Sequence, residues 1–430
     1  MKSIQAWFSK DGFNQNVLKL ATGTTFVQVV SIGMSPILSR LFTPSDYGVI
    51  AIYLGITTSI SVIATGQYEV SIVLPEKDEE AVNVVALTAS LAVISSLLSL
   101  VIISVFNQSI AKQISNIEIS RWLYFIPVTV LQTGVYQTLS YWSNRKKYYR
   151  KLVETSILQS LLGAAFNLYA GLNDLGVGGL ICSGLISQTI GISYLGFHIF
   201  RKDHELGKYV SLNKSFVYAA KYKDFPKFNA PQVFLDTFRT NGIYFAISTF
   251  YSMESLGHYS LAQRVIQLPI SLISTPISQV FYQEIAEAHN HRINLWLKCK
   301  ELIKKLLVVF LPLLLGIMLL APVVFSIAFG DKWLKAGIYA RILVPWIILS
   351  FLASPLSMVP VVLGKQKQFF FIGLAVSILL PGFALVLANF QVEFSILLLG
   401  VSSIASLSLL GVILWTRKIS SNSQMKILDV

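Results

Sequence analysis

Three charged side chains lie in sequence that is otherwise apolar, and their types favour the binding of an anion. Asp236 and Arg239 stand three residues apart in FLDTFRTNGIYFAISTF (234–250), and Arg264 follows in SLAQRVIQLPISLIS (260–274). Arginine presents a rigid fork of N–H donors that fits phosphate oxygens. We therefore interpret Arg239 and Arg264 as ligand-binding residues, with Asp236 as an ion-coupling group or charge partner. A self-neutralised Asp236–Arg239 pair that only holds its helix in place is the alternative.

Other polar side chains recur every three or four residues in five apolar stretches, which places each set on one face of a helix. The five sets are Thr24, Gln28, Ser31 and Ser35; Thr58, Ser61, Thr65 and Glu69; Thr129, Gln132, Tyr136 and Ser140; Asn229, Gln232, Asp236 and Arg239; and Ser260, Arg264, Gln267, Ser271, Ser274 and Ser278. Close helix packing explains serines and threonines, but buried amides and charges without a partner are costly. A water-accessible cavity between two lobes would satisfy them. We expect Gln28, Gln232 and Gln267 to bind substrate there, and Glu69 to be a second ion-coupling group or charge partner.

The remaining residues that could do chemistry do not form a catalytic or metal-binding pattern. The chain has five histidines and two cysteines, Cys182 and Cys299, without metal-ligand spacing. His289 and His291 lie near acidic residues, but in a charged stretch that is typical of a solvated loop. The sequence also lacks a phosphate-binding glycine loop and a nucleophile constellation. We predict no catalytic residues, no metal and no cofactor, and therefore a protein that is not an enzyme.

The elements that would carry these residues are membrane-spanning helices. Of the 430 residues, 54% are hydrophobic and only 13% are charged, whereas soluble domains have roughly 25% charged residues. A span needs about 20 mostly apolar residues. Twelve stretches qualify, at 18–39, 47–74, 82–106, 121–143, 152–172, 176–199, 225–250, 256–282, 303–329, 338–362, 369–388 and 394–416. The predicted fold class is an all-α polytopic membrane protein with about twelve transmembrane helices.

The basic residues predict the orientation of these spans. With both termini on one side, that side carries 26 of the 34 lysines and arginines, the other side carries six, and two lie within spans. Basic loops face the cytoplasm in membrane proteins, so both termini are expected in the cytoplasm. This distribution accounts for the net charge of +13, and the protein is not expected to bind nucleic acid. The partner of these basic loops is the lipid bilayer.

The sequence also indicates that the twelve spans are a duplication of one six-span unit. SRLFTPSDYGVIAIY (39–53) and STFYSMESLGHYSLA (248–262) share a serine and a glycine at an offset of 209, and each joins one long span to the next. Two parallel repeats are a common plan for transporters. The predicted domains are an N-terminal six-helix lobe (1–200), a cytoplasmic inter-lobe loop (201–224), a C-terminal six-helix lobe (225–416) and a cytoplasmic tail (417–430).

Two of these stretches resemble a known family. RLFTPSDYGVIAIY (40–53) and SLGHYSLAQRVIQLPISLISTPISQVFYQEIAE (255–287) are similar to the polysaccharide transporter family of the multidrug/oligosaccharidyl-lipid/polysaccharide exporter superfamily, and most like its O-antigen flippase (Wzx) type. The resemblance implies two six-helix lobes in a V shape. Arg264 aligns with an arginine of the family's eighth-span motif, whereas Asp236 and Arg239 fall in its variable seventh span.

The resemblance also implies a function. Such a protein moves an undecaprenyl-diphosphate-linked oligosaccharide, an O-antigen or similar repeat unit, from the inner to the outer leaflet of the bacterial inner membrane, coupled to an ion gradient. Its partners would be this lipid-linked glycan and, in lipopolysaccharide or other polysaccharide biosynthesis, a polymerase and a chain-length regulator. A drug/ion antiporter of the related multidrug extrusion family is one alternative. A membrane-embedded glycan polymerase or ligase is another, although the longest outer loop, near 107–120, is short.

Overall fold

The computed structural model describes residues 12–114, 116 and 119–428, and these residues form helices without a strand. The chain divides into two compact units, Met1–Asn241 and Gly242–Val430. The first unit therefore includes the predicted inter-lobe loop and part of the seventh predicted span, whereas the sequence places the boundary at 201–224. Both units are built from long helices that follow one another along the chain through short connections.

The first unit contains eight helices and most of a ninth within the described part of the chain. They are α1 (Gly12–Leu41), α2 (Pro44–Ala64), α3 (Asp78–Gln113), α4 (Ile119–Leu123), α5 (Ile126–Arg145), α6 (Tyr149–Leu172), α7 (Gly176–Asp203), α8 (Leu212–Lys221) and α9 (Ala230–Phe250). Short 3₁₀ turns at Tyr68–Val73 and His204–Tyr209 follow α2 and α7, and a π-helical turn at Phe225–Asn229 precedes α9. The helices α1 and α6 run side by side in the same direction, because Gly23 lies against Val153 and Gly171 against Leu41.

The second unit continues with six helices in the described part of the chain. They are α10 (Met253–Asn290), α11 (Leu295–Phe329), α12 (Leu334–Leu356), α13 (Val359–Val362), α14 (Gln366–Asn389) and α15 (Phe394–Leu428). Its core forms where α12 packs against α10, α11 and α15. Two apolar clusters fill this region, one around Phe281, Ile285 and Leu356 and the other around Leu306, Phe351 and Leu352.

All twelve predicted spans fall on helices, which confirms the fold class. Seven helical stretches among the described residues are long and apolar enough to cross a membrane by length and hydropathy. The other five predicted spans lie on α1, α5, α6, α9 and α10, whose polar and charged residues lower their hydropathy. The protein is thus a multi-pass membrane protein in which the less apolar helices carry most of the candidate site residues.

The helix ends repeat with the offset that the sequence duplication has. Leu41 ends α1 and Phe250 ends α9, 209 residues apart, and Pro44 and Met253 begin the next helices with the same spacing. The residue before each start caps the helix, because Thr43 accepts a hydrogen bond from the backbone of Asp46, and Ser252 accepts one from the backbone of Ser255. Equivalent caps at equivalent positions support the duplication.

The predicted end of the second span is wrong. The second span was expected to run to residue 74 with Thr58, Ser61, Thr65 and Glu69 on one face, but α2 ends at Ala64. Gly66 and Gln67 then adopt left-handed backbone angles, with φ of 61° and 60°, and the chain turns into the 3₁₀ segment Tyr68–Val73. Glu69 therefore does not continue the polar face of α2. Glycine adopts such left-handed angles readily, whereas other residues rarely do. A right-handed α-helix cannot continue through two residues with these angles, and α2 therefore ends before Gly66.

Candidate functional site

The middle of the first unit holds a group of polar side chains that we call the amide layer, formed by the amides of Gln132, Gln159 and Gln188 and the hydroxyl group of Thr189. The Nε2 group of Gln132 on α5 donates to Thr189 Oγ1 on α7 at 2.7 Å and to the carbonyl of Leu185 at 3.3 Å. The Nε2 group of Gln159 on α6 donates to Gln188 Oε1 on α7 at 3.4 Å. Each of these residues lies near the middle of its helix, so the layer lies deep within the membrane-spanning part.

Small residues allow the amide layer to form. Ser183 and Ser187 on α7 donate their hydroxyls to the carbonyls of Gly163 and Gln159 on α6, at 2.9 and 2.8 Å, and so hold the two helices close. Gly191 lies one turn further along α7, and a Cβ atom there would overlap the Gln159 amide. The contact between α6 and α7 is therefore shaped around the Gln159 side chain.

Several side-chain amide oxygens of the first unit are buried and accept no hydrogen bond from any described group. They are Gln28 Oε1, Gln132 Oε1, Gln137 Oε1 and Asn167 Oδ1. Leaving a buried acceptor unpaired costs about 1–3 kcal/mol. Such acceptors are suited to donors that arrive with a ligand, for example sugar hydroxyls, or with water.

The predicted residue Gln28 lies on α1 close to the level of the amide layer. Because Gly23 lies against Val153 and Leu41 against Gly171, α1 and α6 advance in step, and Gln28 is nearly level with Gln159. Its side chain is partly buried. Gln28 is thus near the level of Gln159, and its role in binding substrate stays a prediction.

Glu69 is buried rather than exposed to an open surface. Its side chain is 2% exposed and accepts a hydrogen bond of 2.5 Å from Thr65 Oγ1. Tyr141 on α5 is close enough to interact electrostatically with it. Among the described residues no basic group lies within 4.0 Å of this carboxyl group, so the structure does not pair Glu69 with a cation.

The predicted residues of the seventh span lie on α9 and are exposed. Arg239 Nη2 and Asp236 Oδ1 are 4.0 Å apart, with side chains that are 42% and 59% exposed, and Gln232 is also exposed. This loose contact leaves the other donors of Arg239 without a partner among the described residues. Asn241 holds the helix in place, because its Nδ2 group donates to the Gly55 carbonyl at 3.0 Å and to Thr58 Oγ1 at 2.9 Å on α2.

The predicted residues of the eighth span lie in the second unit, on α10. Arg264 and Gln267 are both exposed and lie about one turn apart. Arg264 interacts electrostatically with Tyr244, whose hydroxyl donates to Gln263 Oε1 at 3.0 Å. No carboxylate of the described residues lies within 4.0 Å of Arg264. Its guanidinium is therefore presented without an acidic partner, as a residue that binds an external anion would be.

The polar face predicted for this span does not continue along the whole helix. Ser274 and Ser278 are buried, and Ser278 donates to the Ser274 carbonyl at 2.8 Å and lies 3.4 Å from Ser354 Oγ on α12. These serines are helix contacts, as close packing of small hydroxyls predicts. Ser271 lies outside the described side chains, and among those that are described the Arg264 end of α10 remains the candidate for ligand binding.

A network of charged side chains lies at the opposite end of the first unit from the α1–α2 turn. We call this end, marked by Arg145, Lys146 and Lys151, the basic end. Arg145 and Lys146 both contact Asp78, each at 2.8 Å. Burial opposes the charge of Lys146, but its hydrogen bond to Asp78 and the nearby carboxylates outweigh burial and raise its pKa. A second cluster joins Lys151, Glu154 and Tyr194, with Lys151 Nζ to Glu154 Oε2 at 2.7 Å and Tyr194 OH to the same oxygen at 2.6 Å.

Sequence reasoning did not select the amides at 137, 159, 167 and 188. The signal that could have found them is the one that selected Gln28, an amide in the middle of an apolar helix. Among the described residues no three His, Cys, Asp or Glu side chains are grouped so as to hold a metal ion.

A comparison with known protein families shows to which family the chain belongs. The model of a family described as "Polysaccharide biosynthesis protein" matches residues 37–338. The chain belongs to this polysaccharide biosynthesis protein family. The match covers more than half of the chain and includes α2 to α9, the amide layer and the Arg264 end of α10.

Two curated relatives of this family member are proteins of bacterial polysaccharide synthesis. The chain is 22% identical over 324 residues to the succinoglycan biosynthesis transport protein ExoT of Rhizobium meliloti (strain 1021), a match over 73% of this chain and 61% of ExoT. It is 24% identical over 210 residues to the teichuronic acid biosynthesis protein TuaB of Bacillus subtilis (strain 168), over 44% of each chain. The chain thus matches less than two thirds of the length of either relative.

Solved structures show the fold of the family member. The lipid II flippase MurJ in an inward closed conformation aligns with a TM-score of 0.71 and 13% identity, over 95% of this chain and 91% of MurJ. An inward-facing multidrug resistance MATE family transporter of the MOP superfamily aligns with a TM-score of 0.64 and 16% identity, over 94% and 95% of the two chains. The predicted likeness in fold to these transporters is confirmed.

Proposed function

We propose that this protein is a flippase that moves an undecaprenyl-diphosphate-linked oligosaccharide from the inner to the outer leaflet of the bacterial cytoplasmic membrane. Membership of a polysaccharide biosynthesis family supports the glycan part of the substrate. The fold shared with a lipid II flippase supports the movement of a lipid-linked molecule. An O-antigen or a similar repeat unit is the cargo that we propose, with both termini of the protein in the cytoplasm.

The observation that carries the proposal is the set of buried amide oxygens without donors in the first unit. A sugar offers many hydroxyl donors, and each one that reaches such an oxygen removes the cost of an unpaired acceptor. Amides and hydroxyls recognise sugars without the exact shape match that an apolar pocket demands. Gln28 and the amide layer would bind the saccharide, with Gln232 and Gln267 as further contacts.

The diphosphate requires cations, and Arg239 and Arg264 would supply them. Both guanidinium groups are exposed and can form bidentate contacts with phosphate oxygens. Asp236 would hold Arg239 when no substrate is bound and release it to the diphosphate, so that binding stays reversible. The lipid tail would remain in the bilayer during this movement, and no covalent step is needed.

Ion coupling is the role that we propose for Glu69 and Asp236. Glu69 is buried and has no basic partner among the described residues, and its carboxyl group would bind and release the coupling proton. Asp236 alternates between Arg239 and water in the same scheme. A polymerase and a chain-length regulator would act on the product at the outer leaflet.

A genetic experiment tests the function. Deleting the gene in its own host should abolish the surface polysaccharide and cause its lipid-linked repeat unit to accumulate, and expression of the intact chain should reverse both effects. If the deletion mutant keeps its surface glycan but becomes sensitive to cationic drugs, the protein is an antiporter instead. If the repeat unit still reaches the outer leaflet but is not polymerised, the protein is a polymerase.

A labelling experiment tests the proposed orientation. Single cysteines at 147, 204, 205 and 208, which are exposed at the basic end, should be protected from a membrane-impermeant thiol reagent added to intact cells, and cysteines at the exposed positions 332, 334 and 335 should react. After the cells are permeabilised, both groups should react. The reverse pattern before permeabilisation would place the basic end outside and contradict the proposed direction of transport.

A further inference from the structure

The helix α8, between α7 and α9, carries an apolar face that no described residue covers. Leu212, Phe216 and Val217 are 76%, 72% and 64% exposed. Three large apolar side chains so exposed on a ten-residue helix would be unfavourable in water. They do not belong to the candidate transport site, and this face requires another environment.

The position of α8 is fixed by hydrogen bonds to α3. The side chain of Asn83 on α3 forms two hydrogen bonds to the segment that leads into α8: Oδ1 accepts from the backbone N–H of Ser211 at 2.8 Å, and Nδ2 donates to the Tyr209 carbonyl at 3.1 Å. The backbone carbonyl of Asn83 accepts a third hydrogen bond from Ser215 Oγ at 3.1 Å. Tyr68 OH donates to the Ala219 carbonyl at 2.9 Å. The helix is therefore docked on the first unit and does not form a loose tether.

The docking point also sets the depth of α8. Asn83 lies where the apolar part of α3 begins, at the start of the predicted span 82–106, and at the basic end of the first unit. A helix held at this point runs along the boundary between the hydrocarbon and the aqueous phase. Amphipathic helices in such positions insert their apolar side chains to the depth of the headgroups and the first acyl carbons.

The side chains of α8 are sorted into three arcs at about 100° per residue. Ser215, Tyr218 and Ala219 point to the first unit, where Tyr218 packs on the core around Ile72 and Val84. The second arc faces outward and is mostly apolar, with Leu212, Phe216, Val217 and Ala220, and the exposed polar residue Asn213 lies among them. The third arc is basic and lies on the far side of the apolar one, with Lys214 and Lys221, both exposed.

We propose that α8 is a lipid-binding helix whose apolar arc enters the membrane leaflet at the basic end and whose lysines bind anionic lipid headgroups. The charge of Lys214 and Lys221 is complementary to phosphatidylglycerol and similar lipids. Lys221 Nζ also lies 5.7 Å from the ring centre of Tyr218 and 5.4 Å from that of Tyr222. The two rings keep this ammonium at the interface, where aromatic side chains are favoured.

The first test locates the apolar arc. An environment-sensitive fluorophore is attached to Phe216→Cys or, as a matched control on the basic arc, to Lys214→Cys, in the full chain with Cys182→Ala and Cys299→Ala. In phosphatidylcholine nanodiscs that contain lipid spin-labelled on the upper part of the acyl chain, below the headgroup, quenching at position 216 should be several-fold stronger than at position 214. Equal, weak quenching at both positions would overturn the proposal.

The same experiment distinguishes a protein partner from lipid. If a second copy of the chain covers this arc, emission at position 216 will be blue-shifted without quenching by lipid, and it will change when two copies occupy one nanodisc. That outcome would contradict lipid binding. Emission and quenching that do not depend on the number of copies per disc are the expected result.

The second test concerns the headgroups. Adding phosphatidylglycerol to the discs should increase quenching at position 216, and high salt should reduce the increase because it screens the charges. The double change Lys214→Gln/Lys221→Gln should remove the increase, whereas Lys367→Gln, an exposed lysine on α14, should preserve it. An increase that persists in the double variant would contradict recognition of anionic headgroups by these lysines.

Discussion

Arg145 at the end of α5 is predicted to be the most important single charge for the stability of the first unit. Its side chain is only 9% exposed. Nε donates to Asp78 Oδ1 at 2.8 Å, Nη1 donates to the carbonyls of Ile72 and Pro75 at 3.2 and 2.6 Å, and Nη2 donates to the Glu76 carbonyl at 3.3 Å. One guanidinium thus holds the connection between α2 and α3 in place.

These contacts set the expected loss in the free energy of unfolding when Arg145 is replaced. Removing one partner of a buried ion pair typically costs about 3–5 kcal/mol. The lower end applies here, because Asp78 is 37% exposed and keeps Lys146 at 2.8 Å, and water can reach part of the connection. We expect Arg145→Ala to lower the free energy of unfolding by about 3 kcal/mol. Arg145→Lys should lose about half of this, since an ammonium cannot reach several acceptors in different directions.

The assay is thermal unfolding of the purified protein in detergent, followed by intrinsic fluorescence. Arg150→Ala is the matched control, because Arg150 pairs with Glu154 at 2.8 Å but has a side chain that is 83% exposed. An exposed i,i+4 pair contributes only about 0.3–0.5 kcal/mol. Arg145→Ala should lower the unfolding midpoint by several degrees and Arg150→Ala by less than about one degree. Equal shifts would refute the reasoning.

Two further predictions concern helix packing and the α9 charge pair. Gly337→Ala should lower the free energy of unfolding by about 1–3 kcal/mol, because its Cβ would lie 2.5 Å from the Pro322 backbone. Gly316→Ala, with open space around the Cβ, should not destabilise, and equal melting curves for the two variants would contradict this packing. Asp236→Asn should preserve more glycan export than Arg239→Ala does, because it leaves the cation for the diphosphate. Restoration of both export and protein level by the double alanine change would show that the pair is only structural.

The sequence predicted the helices well, because their signals are local. Long apolar runs mark most spans, and the Thr43 and Ser252 caps mark the two equivalent turns. The end of α2 could not be predicted in this way. The sequence pattern of apolar and polar residues does not change at Gly66 and Gln67, so it gives no sign of a helix end. The left-handed backbone angles at these two positions show where the helix stops.

The candidate site was predicted only in part, because facing direction depends on tertiary contacts. Gln132 was expected to line water, yet it donates to α7. Glu69 was expected on one face of a continuous helix as an ion-coupling group or charge partner, yet it lies in a buried turn with Thr65, and its role stays a prediction. Arg264, by contrast, is exposed without an acidic partner among the described residues. The binding of a ligand by Arg264 stays a prediction.

Transport of a defined substrate by the purified protein tests the central proposal most directly. Proteoliposomes would receive undecaprenyl diphosphate bearing a short fluorescent oligosaccharide, and an impermeant quencher would report its transfer between leaflets. The account predicts transfer by the intact chain, at least a tenfold loss in Arg264→Ala, and partial activity in Arg264→Lys. Transfer at the rate of protein-free liposomes, in vesicles that hold the protein folded and with an imposed ion gradient, would contradict the proposed function. Unchanged transfer in Arg264→Ala would contradict the role of this arginine in binding the diphosphate.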